Sequence, residues 1–137
     1  MSTEVTALQG ALAAEHAAVY GYGVVGAMLA GPELADARAD WTAHQVARDA
    51  LEAMLIKLGA TPVAASPAYT LPFAVTSAKS AEQLAVTLEN GVTRAYLGLV
   101  AVSNPTLRAF AAQAMQAAAN RSTAWSGATQ AFPGMPA

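Results

Sequence analysis

Three breaks in the helical pattern divide this chain into four segments, and the breaks are unequal in length. Gly31-Pro32-Glu33 is a stop and restart, with proline in the first turn of the next helix and an acid near its positive end. Asn104-Pro105 pairs a capping residue with a first-turn proline. Between them, Ala60 to Lys79 carries Pro62, Pro67 and Pro72 and is much longer than a bundle turn requires. Two short turns make two antiparallel helix pairs. A helix of about 27 residues is roughly 40 Å long, and about 20 extended residues reach roughly 65 Å. The link can therefore run back along the whole bundle. An all-α four-helix bundle of two hairpins joined by one long crossover is the ferritin-like arrangement. Val63, Tyr69, Leu71, Phe73 and Val75 within the link predict that it is packed.

The apolar spacing predicts a first helix from Ser2 or Thr3 to Ala30 and a second ending at Leu58, before Gly59. A capping box at Ser80–Gln83 opens the third, and the fourth fades near Gly127. Residues 1–130 form the bundle and 131–137 an irregular tail. In the first helix Leu8, Leu12, Val19 and Tyr22 make the core-facing stripe, while Gly10, Ala14, Ala17 and Gly21 line another side and admit a close neighbour.

Glu15 falls on that stripe, between Leu12 and Val19. A carboxylate there must be paired, protonated or bound to metal. The second helix offers the stripe Trp41, His44, Ala47, Leu51, Met54 and Leu58, with Arg48 one turn beyond His44. Glu89 flanks the stripe of the third helix, and Arg121 lies on that of the fourth, with Trp125 one turn on. Counting outward from the two short turns brings Glu15, Arg48, Glu89 and Arg121 to mid-depth. A di-iron carboxylate bundle needs one Glu from each of two helices and Glu-x-x-His from each of the others. Here the residue three before His44 is Trp41, and the fourth helix has neither acid nor histidine. We therefore expect a metal-free polar layer, with Glu15 and Glu89 paired to Arg48 and Arg121, beside His44, and no cofactor. The alternative is a metal site on Glu15, His44 and Glu89 taking iron or manganese. His16, about 100° around from Glu15, is expected at a surface or subunit contact. Tyr20, Tyr22 and Tyr96 read as core or interface packing, with the lining of a pocket near the polar layer as the alternative, and Asp40 and Asp49 read as solvated.

Charged residues make up 12% of the chain, too few to cover a monomer of this size comfortably, so a homo-oligomer, with a dimer favoured, is expected. A net charge of −2 with no basic stripe argues against nucleic acid. The absence of Cys excludes disulfides and thiolate chemistry. MSTEVTAL lacks the basic region of a signal peptide, and Val19 to Ala30 is too short to span a bilayer. A soluble cytoplasmic protein is expected, with no membrane partner. No Ser-His-Asp arrangement or glycine-rich phosphate loop is present.

The segments AAEHAAVYGYGVVGA, AHQVARDALEAMLIKLGATPVAASPAYTLPF, LAVTLENGVTRAYLGLV and NRSTAWSGATQAFPG resemble an actinobacterial ferritin-like family whose members have no assigned function. The likeness spans nearly the whole chain, and the run from Glu15 to Gly23 and the Ala-Tyr-x-Leu-Pro at residues 68–72 are its most specific parts. It implies a ferritin-like bundle and no established activity. Departure from the general ferritin pattern in helices 2 and 4 argues against ferroxidase or oxygenase chemistry. Three readings follow: a non-catalytic module acting through its oligomeric surface, a degenerate metal or oxygen enzyme, or a small-molecule binder. In the last, Tyr69 and Phe73 would close a pocket near Arg48 or Arg121.

Overall fold

Ser2 starts the bundle by accepting the Val5 N–H on its hydroxyl, and α1 runs from there over Thr3–Ala27. The computed structural model describes residues 2–128, so the tail expected at 131–137 lies outside the described residues. Gly31, at φ +59°, makes the tight turn into α2 (Gly31–Lys57), whose first turn holds Pro32 and Glu33. A crossover of about 20 residues follows, and then α3 (Ala78–Val100) and α4 (Pro105–Ser126) complete the second hairpin. The Asn104 carboxamide accepts the Thr106 and Leu107 amides at the start of α4, and Gly127, at φ +71°, ends it. Helix α3 begins earlier than a Ser80–Gln83 box implies. Ser77 is the cap, accepting the Ser80 N–H at 3.1 Å, while the Ser80 hydroxyl takes the Ser77 N–H at 3.0 Å. Serine fills the role usually taken by Glu or Gln in the reciprocal box.

Helix α1 packs against both α2 and α3, and α3 against α4. The α1–α3 seam is antiparallel: Ala7 lies opposite Gly98, and Gly21 opposite Leu88. A Cβ at Gly21 would fall 2.5 Å from Leu88 Cδ1, so that glycine admits the leucine side chain. The stripe of α1 is wider than a single row. Ala11 and Ala18 are buried with Leu8, Leu12 and Tyr22, whereas Val19 is only half-buried. Helix α2 buries Ala37, His44, Leu51 and Leu55. Trp41 and Leu58, expected on its inner stripe, are 39% and 48% exposed, Trp41 because it lies on the flank of the buried row and Leu58 because it is the capping residue past the end of α2. Two apolar clusters result. One gathers Leu8, Leu12, Leu51, Leu55, Tyr96 and Leu99, and the other gathers Tyr22, Val25, Ala37, Leu84 and Ala85. Among the described residues no helix is long and apolar enough to cross a membrane.

The crossover climbs along α1, as its apolar content predicts. Gln9 holds it with both ends of its amide, donating to Thr61 O at 2.7 Å and accepting the Val63 N–H at 2.8 Å. His16 donates from Nε2 to Val63 O at 2.9 Å. Further along, Tyr20 and Tyr69 pack with ring centroids 5.5 Å apart, and Leu71 and Val75 lie against the second apolar cluster. His16 is 7% exposed, so it anchors the crossover inside the subunit and is no surface contact. Gln9→Ala removes two hydrogen bonds worth about 1 kcal/mol each. Amide hydrogen exchange at Val63 should then accelerate by tenfold or more, while protection in the α1 and α3 cores stays unchanged.

Candidate functional site

Between the two apolar clusters lies a polar layer built from all four helices. The imidazole of His44, fully buried on α2, stands between two carboxylates. Its Nδ1 is 2.5 Å from Glu15 Oε2 on α1, and its Nε2 is 2.9 Å and 3.1 Å from the two oxygens of Glu89 on α3. Two tyrosines cross the α1–α3 seam to the same carboxylates. Tyr22 on α1 donates to Glu89 Oε2 at 2.5 Å, and Tyr96 on α3 donates to Glu15 Oε1 at 2.8 Å. Arg121 on α4 donates from Nε to Glu89 Oε1 at 3.0 Å. At the edge of the layer the Trp125 indole donates to Asp40 Oδ2 at 2.8 Å, and the Tyr22 hydroxyl lies 3.4 Å from the same oxygen. Ser122 donates to Asn90 at 2.9 Å and ties α4 to α3 beside it. Every buried side-chain nitrogen and oxygen among the described residues has a partner.

The protonation state follows from the geometry. An ionised carboxylate has no proton to give, so each ring nitrogen of His44 must be a donor, and a neutral imidazole has one N–H only. His44 is therefore an imidazolium. Burial works against its charge, but the hydrogen bonds and charges of Glu15 and Glu89 overcome this and hold its pKa at about 9. Glu89 is lowered from the ordinary carboxylate value; burial opposes this, and His44, Arg121 and the Tyr22 hydroxyl outweigh it. Arg121 is raised, the Glu89 charge prevailing over burial. Burial and the adjacent glutamates push both tyrosines far above the ordinary phenol value, so they stay neutral donors. Asp40 is raised by its partial burial in spite of the Trp125 hydrogen bond. Glu15, Glu89, His44 and Arg121 together sum to zero charge.

Of the residues singled out from the sequence, the structure brings Glu15, His44, Glu89 and Arg121 together. Arg48 stands apart, its Nε bonded to Asp49 Oδ1 at 3.0 Å on the surface, so it is not a partner of Glu15. Four residues past His44 turn it about 40° further around the helix, and His44 already occupies the place beside Glu15. Asp40 is not solvated but half-buried under Trp125. Tyr22 and Tyr96 are members of the layer as well as of the core. Each lies seven residues after a buried glutamate on the same helix, and that repeated Glu-x6-Tyr spacing is the signal that marks them.

All four oxygens of Glu15 and Glu89 face a proton donor, and an imidazolium has no lone pair to offer a cation. Among the described residues no three His, Cys, Asp or Glu side chains are disposed to share one metal ion. Outside the layer, a polar groove of about 400 Å³ lies beside Arg48, lined by His16, Asp49, Glu52 and residues 62–65. Tyr69 and Phe73 do not line it: Tyr69 packs on Tyr20, and Phe73 is exposed.

The raised pKa of His44 fixes the sign of a pH effect. Its contribution to stability is complete below the ordinary value of 6.5, declines as pH rises, and is exhausted above about 9. The lowered Glu89 contributes above the ordinary value of 4.5 and is lost as pH falls through its folded pKa. Urea melts should therefore show greatest stability between those limits and a loss on the order of 3 kcal/mol from about pH 6.5 to about 9. A flat profile over that range contradicts the imidazolium.

The comparisons agree with the architecture. The crystal structure of a conserved hypothetical protein, rv2844, from Mycobacterium tuberculosis is similar to this chain at 35% identity with a TM-score of 0.88. The match covers 90% of this chain and 95% of that one. A search of curated proteins returns no match. The family model described as Domain of unknown function (DUF4439) matches residues 7–137, and the chain belongs to that family.

Proposed function

We propose that this protein is a metal-free, non-catalytic ferritin-like bundle that acts as an interaction module between copies of itself, with the polar layer standing where related bundles would hold metal. The observation that carries this reading is the closed hydrogen bonding of the layer: His44 and Arg121 supply the positive charge that a cation would supply. A metal ion on Glu15, His44 and Glu89 would have to displace three bound donors and a proton before coordinating. The donor set does not fit iron or manganese. An assembly of copies is supported by the low charge content and by the apolar residues left on the outside of α2, where Val46 and Ile56 are 64% and 63% exposed.

Thermal melts of the wild type and Glu15→Gln, each with chelator and with Mn²⁺ or Fe²⁺, test the metal-free layer. Glu15→Gln leaves half of the His44 charge unmatched and should cost about 3–5 kcal/mol in chelator. Added metal should leave both proteins unmoved. A wild type that gains many degrees on adding metal, beside a mutant that gains none, overturns the reading. Sedimentation at micromolar concentration tests the assembly: a dimer or larger species is expected, and a clean monomer of about 14 kDa refutes it.

A further inference from the structure

The groove between α1 and α2 is open at the end away from Gln9. There it forms a cavity of about 270 Å³ that the crossover does not fill, and of the polar layer only Tyr22 lines it. Its floor is helix backbone. Gly23 and Gly26 lie three residues apart on α1 and present bare backbone, and a Cβ at Gly23 would meet no atom within 4 Å. Leu34 and Ala37 of α2 and the ring of Tyr22 make the rest of the interior apolar. Trp41 stands at the cavity 39% exposed. Arg38 lines the same cavity and is exposed, and among the described residues its guanidinium has no carboxylate within ion-pair distance.

We propose that this cavity binds a small aromatic monocarboxylate, its ring laid on the Gly23–Gly26 floor beside Trp41 and its carboxylate on Arg38. Each part of the ligand answers a part of the wall. A flat ring covers exposed helix backbone where a branched chain would leave voids. An indole face at the entrance favours an aromatic partner. A guanidinium with no carboxylate at ion-pair distance among the described residues matches a ligand carboxylate in a bidentate pair and disfavours a cationic head group. The volume suits a body of one or two fused rings, at the small end of ligand pockets.

Isothermal titration with 2-naphthoate, its neutral analogue 2-naphthylmethanol and its cationic analogue 2-naphthylmethylamine tests it on the full chain. Naphthoate should bind saturably at one site per chain and more tightly than either analogue. Arg38→Met should weaken naphthoate roughly tenfold and leave the alcohol unchanged, and Arg38→Lys should recover part of the loss. Gly23→Leu fills the floor from an open helical position, so it should melt no lower than the parent and bind neither compound. The proposal fails if naphthoate gives no saturable heat, if the amine binds as tightly, or if Gly23→Leu binds normally. It fails equally if sedimentation shows naphthoate or Gly23→Leu dissociating a dimer, for the cavity is then the seat of a second copy.

Discussion

One protonated imidazole between two carboxylates sets the terms for everything around it. Two glutamates taken out of water at the centre of a bundle need two positive charges and a donor for every oxygen. His44 and Arg121 supply the charges, and Tyr22 and Tyr96 supply the remaining donors. With these met, the residues above and below are free to be alanine, leucine and valine. Net stability comes from those apolar clusters, since a buried ionic set does little better than apolar side chains of equal volume. What the layer contributes is intolerance: any arrangement that parts one member from its partner is strongly disfavoured.

The crossover is governed by the same rule applied to backbone. A segment with three prolines forms no helix of its own, so its peptide groups need partners from elsewhere. Gln9 and His16 meet that need around Val63 with two side chains from one face of α1. Histidine has two different duties in this protein. His44 is charged and faces acids, whereas His16 meets a carbonyl that accepts a single proton.

Much of this was legible in the sequence, and the misreadings have a common cause. Unequal connections gave the hairpins and the crossover, because chain reach is a matter of length alone. Glu15 on an apolar stripe marked the buried layer, because no hydrophobic cluster tolerates a lone carboxylate. Arg48 was misplaced because rows three and four residues apart diverge around a helix, and only the packed structure says which of two adjacent rows faces in. Spacing alone favours plain packing for Tyr22 and Tyr96 and solvation for Asp40, because a phenol ring in a core and an acid near a helix surface each have a bland explanation. Their roles exist only once all four helices are side by side. Ser77 escaped notice because serine at the third position of a helix seldom completes a capping box.

The crossed Glu15–Tyr96 and Tyr22–Glu89 pairs have a mechanical consequence for the α1–α3 seam. The seam already carries one notch, for Leu88 seats against Gly21 where no Cβ would fit. A slide of one helix past the other by a 5.4 Å turn would press Leu88 against Ala17 or Val25 instead of the glycine. The two pairs run in opposite senses across the seam, like two pins through a hinge. A slide in either direction breaks both at once and strands two glutamates. Axial position at this seam is thus held by a leucine in a glycine notch and by two phenol hydroxyls, which together leave a single seating.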